Sequence, residues 1–284
     1  MAGGFDIQRD IVYGQGGDSE LLLDLYLPRN PVRAVPIILY IHGGGWIELD
    51  KNWCPYPMRF LEKEFAVASI NYRLSDEAPF PAQLHDCKAA VRWLRDNADT
   101  YGLDADHIGA WGDSAGGHLA ALLGLTAQRP ELEGNGGNPG VSSEVQAVCD
   151  WFGPSHLAAL VDKPVDSEMI DIKAIVAQLI GGPTRLNPDK LKQASPITYV
   201  SSEAAPFLIM HGDIDRIVPV SQSVLLYEAL WLAGSEVRLH VVHGSGHLDY
   251  NRRPIDVHWH TRQVEQLVDD FFYKHLMCAE MEPK

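Results

Sequence analysis

Seven consecutive apolar residues, 35–41 (VPIILYI), place the tightest constraint on the fold. A strand with one solvated face alternates apolar and polar side chains. A continuous apolar run has no polar face and needs cover on both sides. A parallel sheet flanked by helices supplies that cover. The rest of the chain follows the same rhythm. Strand patterns at 65–71, 107–111, 145–152, 207–210 and 237–242 alternate with helical patterns at 57–64, 81–98, 115–128, 221–232 and 261–277. In 81–98, Leu84, Cys87, Ala90, Val91 and Leu94 recur at helical spacing. Upstream, 7–13 and 20–27 read as two strands around a turn at 14–18, with Leu21, Leu23, Leu25 and Leu27 on one face at period two. The expectation is a single α/β domain over 1–284: a mostly parallel central sheet, helices on both faces and right-handed crossovers.

Residues 155–201 break the rhythm. They hold helical patterns at 157–160, 169–180 and 188–193 but no clear strand. This stretch reads as an insertion after a strand, on one edge of the sheet. Open α/β sheets bind ligands beyond the carboxyl ends of their strands, so an insertion there is expected to form a small cap, a lid or a pocket wall.

Two glycine-rich turns sit at strand ends. Gly112-Asp113-Ser114-Ala115-Gly116 matches G-x-S-x-G, with a strand before it and a helix after it. A nucleophile on so tight a turn needs small neighbours, because larger ones would clash with strand and helix. The turn lifts the Ser114 hydroxyl clear of the sheet and points the Ala115 N–H toward a developing oxyanion. His42-Gly43-Gly44-Gly45-Trp46 directly follows the apolar run. Its glycines let the backbone approach a ligand closely, and its N–H groups can complete an oxyanion hole. His42 itself reads as a structural residue of the loop.

A serine hydroxyl needs a base, and the base needs an orienting carboxylate. His211-Gly212-Asp213-Ile214-Asp215 and Gly244-Ser245-Gly246-His247 follow the next-to-last and last strand patterns, in the order Ser, Asp, His expected of such a sheet. Asp215, further along its loop, is preferred as the acid, with Asp213 bracing the turn. His247, on the glycine-rich loop, is preferred as the base over His243 at the strand end. The pair His258 and His260 has no Cys or carboxylate pattern beside it and reads as ordinary histidines, so no metal is expected.

Composition narrows the partners. A formal charge of −15, from 23 basic and 38 acidic residues, argues against nucleic acid and anionic lipid. Residues 1–9 contain no apolar signal core, and no stretch approaches the roughly 18 apolar residues of a membrane span. The expectation is a cytoplasmic chain without membrane partners, a secreted mature form staying open. Cys54, Cys87, Cys149 and Cys278 form no CxxC pair and read as buried reduced thiols.

The set HGGGW (42–46), NYRLSDEAPFPAQLHDCKAAVRWL (71–94), GDSAGG (112–117), HGDIDRIVP (211–219) and GSGH (244–247) resembles the α/β-hydrolase superfamily. More narrowly it is similar to the hormone-sensitive-lipase-like carboxylesterases. DWFGPSHL (150–157) and ASPITYV (194–200) resemble the related bifunctional acetylxylan and feruloyl esterase group. The resemblance implies the α/β-hydrolase fold and a serine esterase acting through an acyl-enzyme on small or short-chain esters, acetyl or feruloyl esters of plant polysaccharide among them. It implies Ser114 as nucleophile, Asp215 as acid, His247 as base, and the N–H groups of Gly44, Gly45 and Ala115 as the oxyanion hole, with no metal or organic cofactor. Hormone-sensitive-lipase relatives carry a longer N-terminal cap, so the pocket here is expected to be shaped by 46–56 and 155–201. Trp46, Trp53 and Trp151 are candidate aromatic walls, with burial in the core as their alternative. The partner is a small-molecule ester, and a homodimer stays open. HGGGW also resembles the loop of aryl formamidases, and HGDIDRIVP that of prolyl-oligopeptidase-like peptidases, which normally carry a propeller domain ahead of the hydrolase; the expectation here is none. Plant gibberellin receptors resemble these esterases as non-catalytic binders but lack the histidine base that His247 supplies.

Overall fold

A computed structural model describes residues 4–162, 170–247 and 259–277. Among them, β1 (Phe5–Gly16), β2 (Ser19–Pro28), β3 (Val35–Ile41), β4 (Ala66–Ile70), β5 (Leu103–Asp113), β6 (Ala147–Trp151), β7 (Phe207–Gly212) and β8 (Val237–Val242) form one sheet. Its order is β1-β2-β4-β3-β5-β6-β7-β8. β1 and β2 form an antiparallel hairpin that joins β4 antiparallel, and every later pairing is parallel. The helices are α1 (Ala82–Asp96), α2 (Ala98–Tyr101), α3 (Ala115–Leu125), α4 (Leu157–Asp162), α5 (Ile172–Leu179), α6 (Pro188–Gln193), α7 (Ser221–Leu232) and α8 (Arg262–Leu276).

The apolar run 35–41 is β3, buried at every residue between β4 and β5. Its pleat divides the core in two. Ile37, Leu39 and Ile41 face a mainly aliphatic cluster with Leu84 and Val91 of α1, Leu119 and Leu123 of α3, and Leu226 and Leu230 of α7. Ile38 and Tyr40 face an aromatic cluster with Phe60, Trp111, Trp151 and Trp259. α8 closes that second face through Val264, Val268, Phe272 and Leu276, one stripe at four-residue spacing. Truncating a fully buried phenylalanine such as Phe272 to alanine costs about 3–5 kcal/mol.

Two elements depart from the sequence expectation. The segment expected as a helix at 57–64 is a 3-10 turn over Pro57–Lys63, stopped by Glu64 in the left-handed region (φ 59°). The insertion does not stand on an edge of the sheet. It joins β6 to β7, which are adjacent interior strands, because the chain after β7 adds β8 outside it. It therefore rises from the middle of the carboxyl ends, with α4, α5 and α6 in its path. The expected helix at 169–180 begins at Ile172, N-capped by the Asp171 carboxylate, and residue 169 lies outside the described residues. Cys54, Cys87 and Cys149 are buried free thiols, and Cys278 lies outside the described residues. No helix among the described residues is long and apolar enough to cross a membrane.

Candidate active site

β5 ends at Asp113 and α3 begins at Ala115, so Ser114 alone makes the turn. It does so at φ 54° and ψ −119°, a conformation that costs a non-glycine residue roughly 1–3 kcal/mol. The neighbours explain why the turn is this tight. A Cβ on Gly112 would collide with the Gly116 carbonyl, and one on Gly116 with the Ile41 carbonyl. The Ser114 N–H donates to the Trp151 carbonyl at 2.9 Å. Below the turn, Tyr40 Oη donates to Asp113 Oδ1 at 2.6 Å in the buried core. The strain at Ser114 is thus held from β3, β6 and α3.

Three loops from separate strand ends meet over that hydroxyl. Ser114 Oγ lies 2.9 Å from His247 Nε2, and His247 Nδ1 lies 2.6 Å from Asp215 Oδ2. Asp215 Oδ1 accepts the N–H groups of Ile217 and Val218, each at 2.9 Å. Asp215 Oδ2 has a second histidine beside it, His211 Nε2 at 3.3 Å. Burial pushes the Asp215 carboxyl up, but His247 and His211 more than offset it, and the group ends well below the usual carboxylate range. An ionised Asp215 accepts from His247 Nδ1, which leaves Nε2 as the lone pair that can take the serine proton. The ring of Phe152 stands edge-on to His247 with centroids 4.8 Å apart and backs the imidazole. Asp213 points elsewhere: it accepts from exposed His243 Nδ1 at 2.9 Å and from the Gly244 N–H at 2.7 Å, which braces the turn.

The glycine loop lies alongside. Ile41 at the end of β3 is in register with Gly112 of β5, so the loop and the elbow leave neighbouring strands at the same level. Gly44 (φ 87°), Gly45 (φ 60°) and Trp46 (φ 61°) are three consecutive left-handed residues. The Gly44 carbonyl turns back to accept the N–H groups of Ile47 and Glu48 at 3.0 and 3.1 Å. A Cβ on Gly44 would collide with the Glu48 carbonyl. Curled backbone of this kind gathers N–H groups into an anion-binding concavity. Ala115 is the first residue of α3, where helical N–H groups have no intrahelical partner. Burial lowers His42 to about 4, and its ring stacks on Tyr72 at 4.4 Å. Tyr72 Oη in turn donates to the His42 and Gly43 carbonyls, both at 3.0 Å. His42 is a neutral strut of the loop.

The tryptophan expectations are corrected. Trp46 and Trp151 are each 2% exposed, the core burial that stood as their alternative. Trp151 points into the aromatic cluster beneath the sheet, against Trp111, Tyr56 and Trp259, because its place in β6 sends its side chain to that face. Its carbonyl, not its ring, serves the elbow. Trp53 is half-buried and packs on the same cluster. The apolar neighbours of the glycine loop are Ile175 of α5 and Ile47, whose Cγ2 and Cγ1 atoms lie 3.5 and 3.7 Å from where a Gly45 Cβ would stand. Ile175 places α5 of the insertion beside the glycine loop. His260 stacks on Tyr56 at 5.8 Å, and His258 lies outside the described residues. Among the described residues no cluster of three or more His, Cys, Asp or Glu could hold a metal.

His118, His211 and Phe152 were not singled out from the sequence, although all three support the site. His211 opens the HGDID motif, which was its one visible signal. His118 and Phe152 carry none, since their roles depend on what lies across from them.

This sheet, with a strained serine elbow, a left-handed glycine loop and a histidine bridging serine and carboxylate, defines an α/β-hydrolase fold. Within it the chain belongs to the BD-FAE family, whose model matches residues 23–230. Over 235 residues it is 37% identical to Esterase LipQ of Mycobacterium tuberculosis, covering 80% of this chain and 53% of that protein. The structure of a truncated form of a carbohydrate esterase from gut microbiota matches with a TM-score of 0.84 at 33% identity, over 98% of both chains. A bifunctional GH43-CE of Bacteroides eggerthii matches at 0.81 and 34% identity, over 95% of this chain and 38% of that one. The chain spans about half the length of the curated relatives it matches.

Proposed function

We propose that this chain hydrolyses carboxylic esters through an acyl-Ser114 intermediate. The observation that carries the reading is His247, one imidazole within hydrogen-bond reach of both Ser114 Oγ and Asp215 Oδ2. As Ser114 attacks the ester carbonyl, His247 Nε2 takes its proton, and ionised Asp215 stabilises the imidazolium. The carbonyl oxygen becomes an oxyanion, received by the N–H groups of Gly44, Gly45 and Ala115. His247 then protonates the departing alcohol. Water, deprotonated by His247, attacks acyl-Ser114, and the second tetrahedral intermediate collapses to the acid and free serine.

The substrate we propose is a short acyl group, acetyl first, carried on a carbohydrate. Two observations support it. Ile175 and Ile47 place compact apolar side chains beside the glycine loop, a lining that suits a short acyl group. Two structural relatives above 30% identity bear the names of a carbohydrate esterase and a GH43-CE. The test compares p-nitrophenyl acetate with its longer-chain homologues, methyl ferulate, acetylated xylan and N-formylkynurenine, together with mass detection of acetyl on the Ser114 peptide after rapid acid quench. Release of acetate with a transient adduct on Ser114 is expected. Turnover of the formamide in preference to every ester would replace the reading with an amidohydrolase.

A further inference from the structure

We propose that His118 is a positioning residue that holds the oxyanion loop in register with the nucleophile helix and the insertion, an inference that rests on the esterase reading above. The starting observation is strain. Trp46 follows the two glycines of the hole at φ 61°, a backbone region that bulky side chains avoid. Such a residue stays there only when its surroundings over-determine it. Trp46 is gripped at both ends. Its carbonyl accepts the Ser75 N–H at 2.7 Å and the Ser75 hydroxyl at 3.0 Å. Its indole N–H donates to His118 Nδ1 at 3.3 Å, with the rings edge-on at 5.0 Å.

His118 sits one turn into α3, and its own N–H donates to the Ser114 carbonyl at 3.0 Å. On its far side Nε2 lies 2.7 Å from the carbonyl of Ala194, the residue that ends α6 of the insertion. The direction of both bonds is forced. An indole N–H can only donate and a carbonyl can only accept, so Nδ1 carries the lone pair and Nε2 the proton. The ring is fully buried, so both nitrogens spend their capacity inside the protein. One imidazole therefore joins three segments: the loop that binds the oxyanion, the helix that carries the nucleophile, and the insertion through Ala194. A second tie runs beside it, from the Phe80 N–H to the Leu179 carbonyl at the end of α5, at 2.7 Å.

The consequence concerns the hole. Donors serve an oxyanion only when held within about 0.5 Å of their working positions. If the indole loses its acceptor, Trp46 can relax toward an ordinary φ, and the peptide between Gly45 and Trp46 rotates with it. The hole then loosens while the Ser114–His247–Asp215 bonds stay made.

The experiment uses His118→Phe, His118→Gln and Trp46→Phe in the full chain, with steady-state hydrolysis of p-nitrophenyl acetate and amide hydrogen exchange over 43–47. His118→Phe keeps the ring volume and removes both bonds. It is expected to lower kcat about 10- to 100-fold, below the ~10²–10³ of losing an oxyanion donor outright, with KM within about threefold. Exchange at Gly44 and Gly45 should quicken. His118→Gln, whose amide can accept from Trp46 and donate to Ala194, should recover most of kcat and the slow exchange. Trp46→Phe cuts the same link from the other end, and the double variant should lose little more than either single, since coupled residues are not additive. Trp46→Phe and His118→Gln carry the test should His118→Phe fail to fold. A folded His118→Phe with wild-type kcat and unchanged loop exchange overturns the proposal. So does a loss of stability with unchanged loop exchange, which would make His118 core packing only. Absence of any esterase activity in the wild type would sink the esterase reading instead, and the exchange comparison would still decide whether His118 holds the loop.

Discussion

On one side of the Ser114 hydroxyl, side chains form the site. Ser114, His247 and Asp215 are linked by two short hydrogen bonds, with His211 and two backbone N–H groups completing the shell of the carboxylate. On the other side, backbone forms it. The Gly44–Trp46 segment is curled into the left-handed region and held at Trp46 by Ser75 and His118, with Tyr72 bracing His42 and Gly43 just before it. The proton-transfer half depends on which atoms are present. The anion-binding half depends on where ordinary peptide groups are held. The first should therefore fail sharply when one functional group is removed. The second should fail by degrees, through residues that do not touch substrate.

Ser114→Ala gives the largest expected effect, a fall of about 10⁶ in kcat on p-nitrophenyl acetate with an unchanged melting temperature. Residual turnover within a hundredfold of wild type would remove Ser114 from the chemistry. Asp215→Asn should cost about 10⁴, because an amide no longer selects the tautomer of His247 that leaves Nε2 free. Asp213→Asn, on the exposed brace, should leave kcat within about twofold, consistent with surface changes being mild. Crossing to the backbone half, Gly44→Ala must push a Cβ into the Glu48 carbonyl at φ 87°. It is expected to lower kcat about 10²–10³-fold with KM little changed, the signature of an interaction made in the transition state. A silent Gly44→Ala would break the comparison between the two halves.

The smallest effects concern stability against pH. Burial holds His118, whose ordinary value is 6.5, down to about 4. The unfolded chain takes up that proton as pH falls through 6.5, whereas the folded chain resists until about 4. This contribution to stability is complete above pH 6.5 and lost progressively from there down to pH 4. Asp150, beneath the first turn of α3, runs the other way. Burial raises it from 3.8 to about 6, against the bond it accepts from the Gly153 N–H. Between those values the folded state binds more protons, so its contribution falls as pH rises from 3.8 to 6. Asp150→Asn should raise stability at pH 7 by about 1–3 kcal/mol in urea unfolding, with the gain vanishing below pH 4. An equal gain at pH 4 and pH 7 would mean that charge is not the cause.

Much of the proton-transfer half was readable beforehand because it rests on local rules. G-x-S-x-G marks a turn where Gly112 and Gly116 have no room for a Cβ, and that steric demand is written in the motif. The loops with Asp215 and His247 follow recognisable apolar strands, so their arrival at one end of the sheet follows from parallel topology. The tryptophans show the limit of that reading. Nothing in the residues around Trp151 says that its ring goes beneath the sheet and its carbonyl to the nucleophile. That is settled by the pleat of β6 against β5. Trp46 looked like a pocket wall because it adjoins the glycines, and it is buried because His118 and Ser75 hold it inward.

The sequence by itself determined the alternation of strands and helices, the two strand ends where backbone must come close, and the order of serine, carboxylate and histidine. Each follows from side-chain period, Cβ sterics or chain order, which short segments carry alone. Tertiary structure decided which carboxylate meets His247, which face each tryptophan takes, and that His118 links positions 72 residues back and 76 residues ahead of it. Hydrogen bonds across such separations depend on how strands and loops are juxtaposed in space, and no local pattern encodes that.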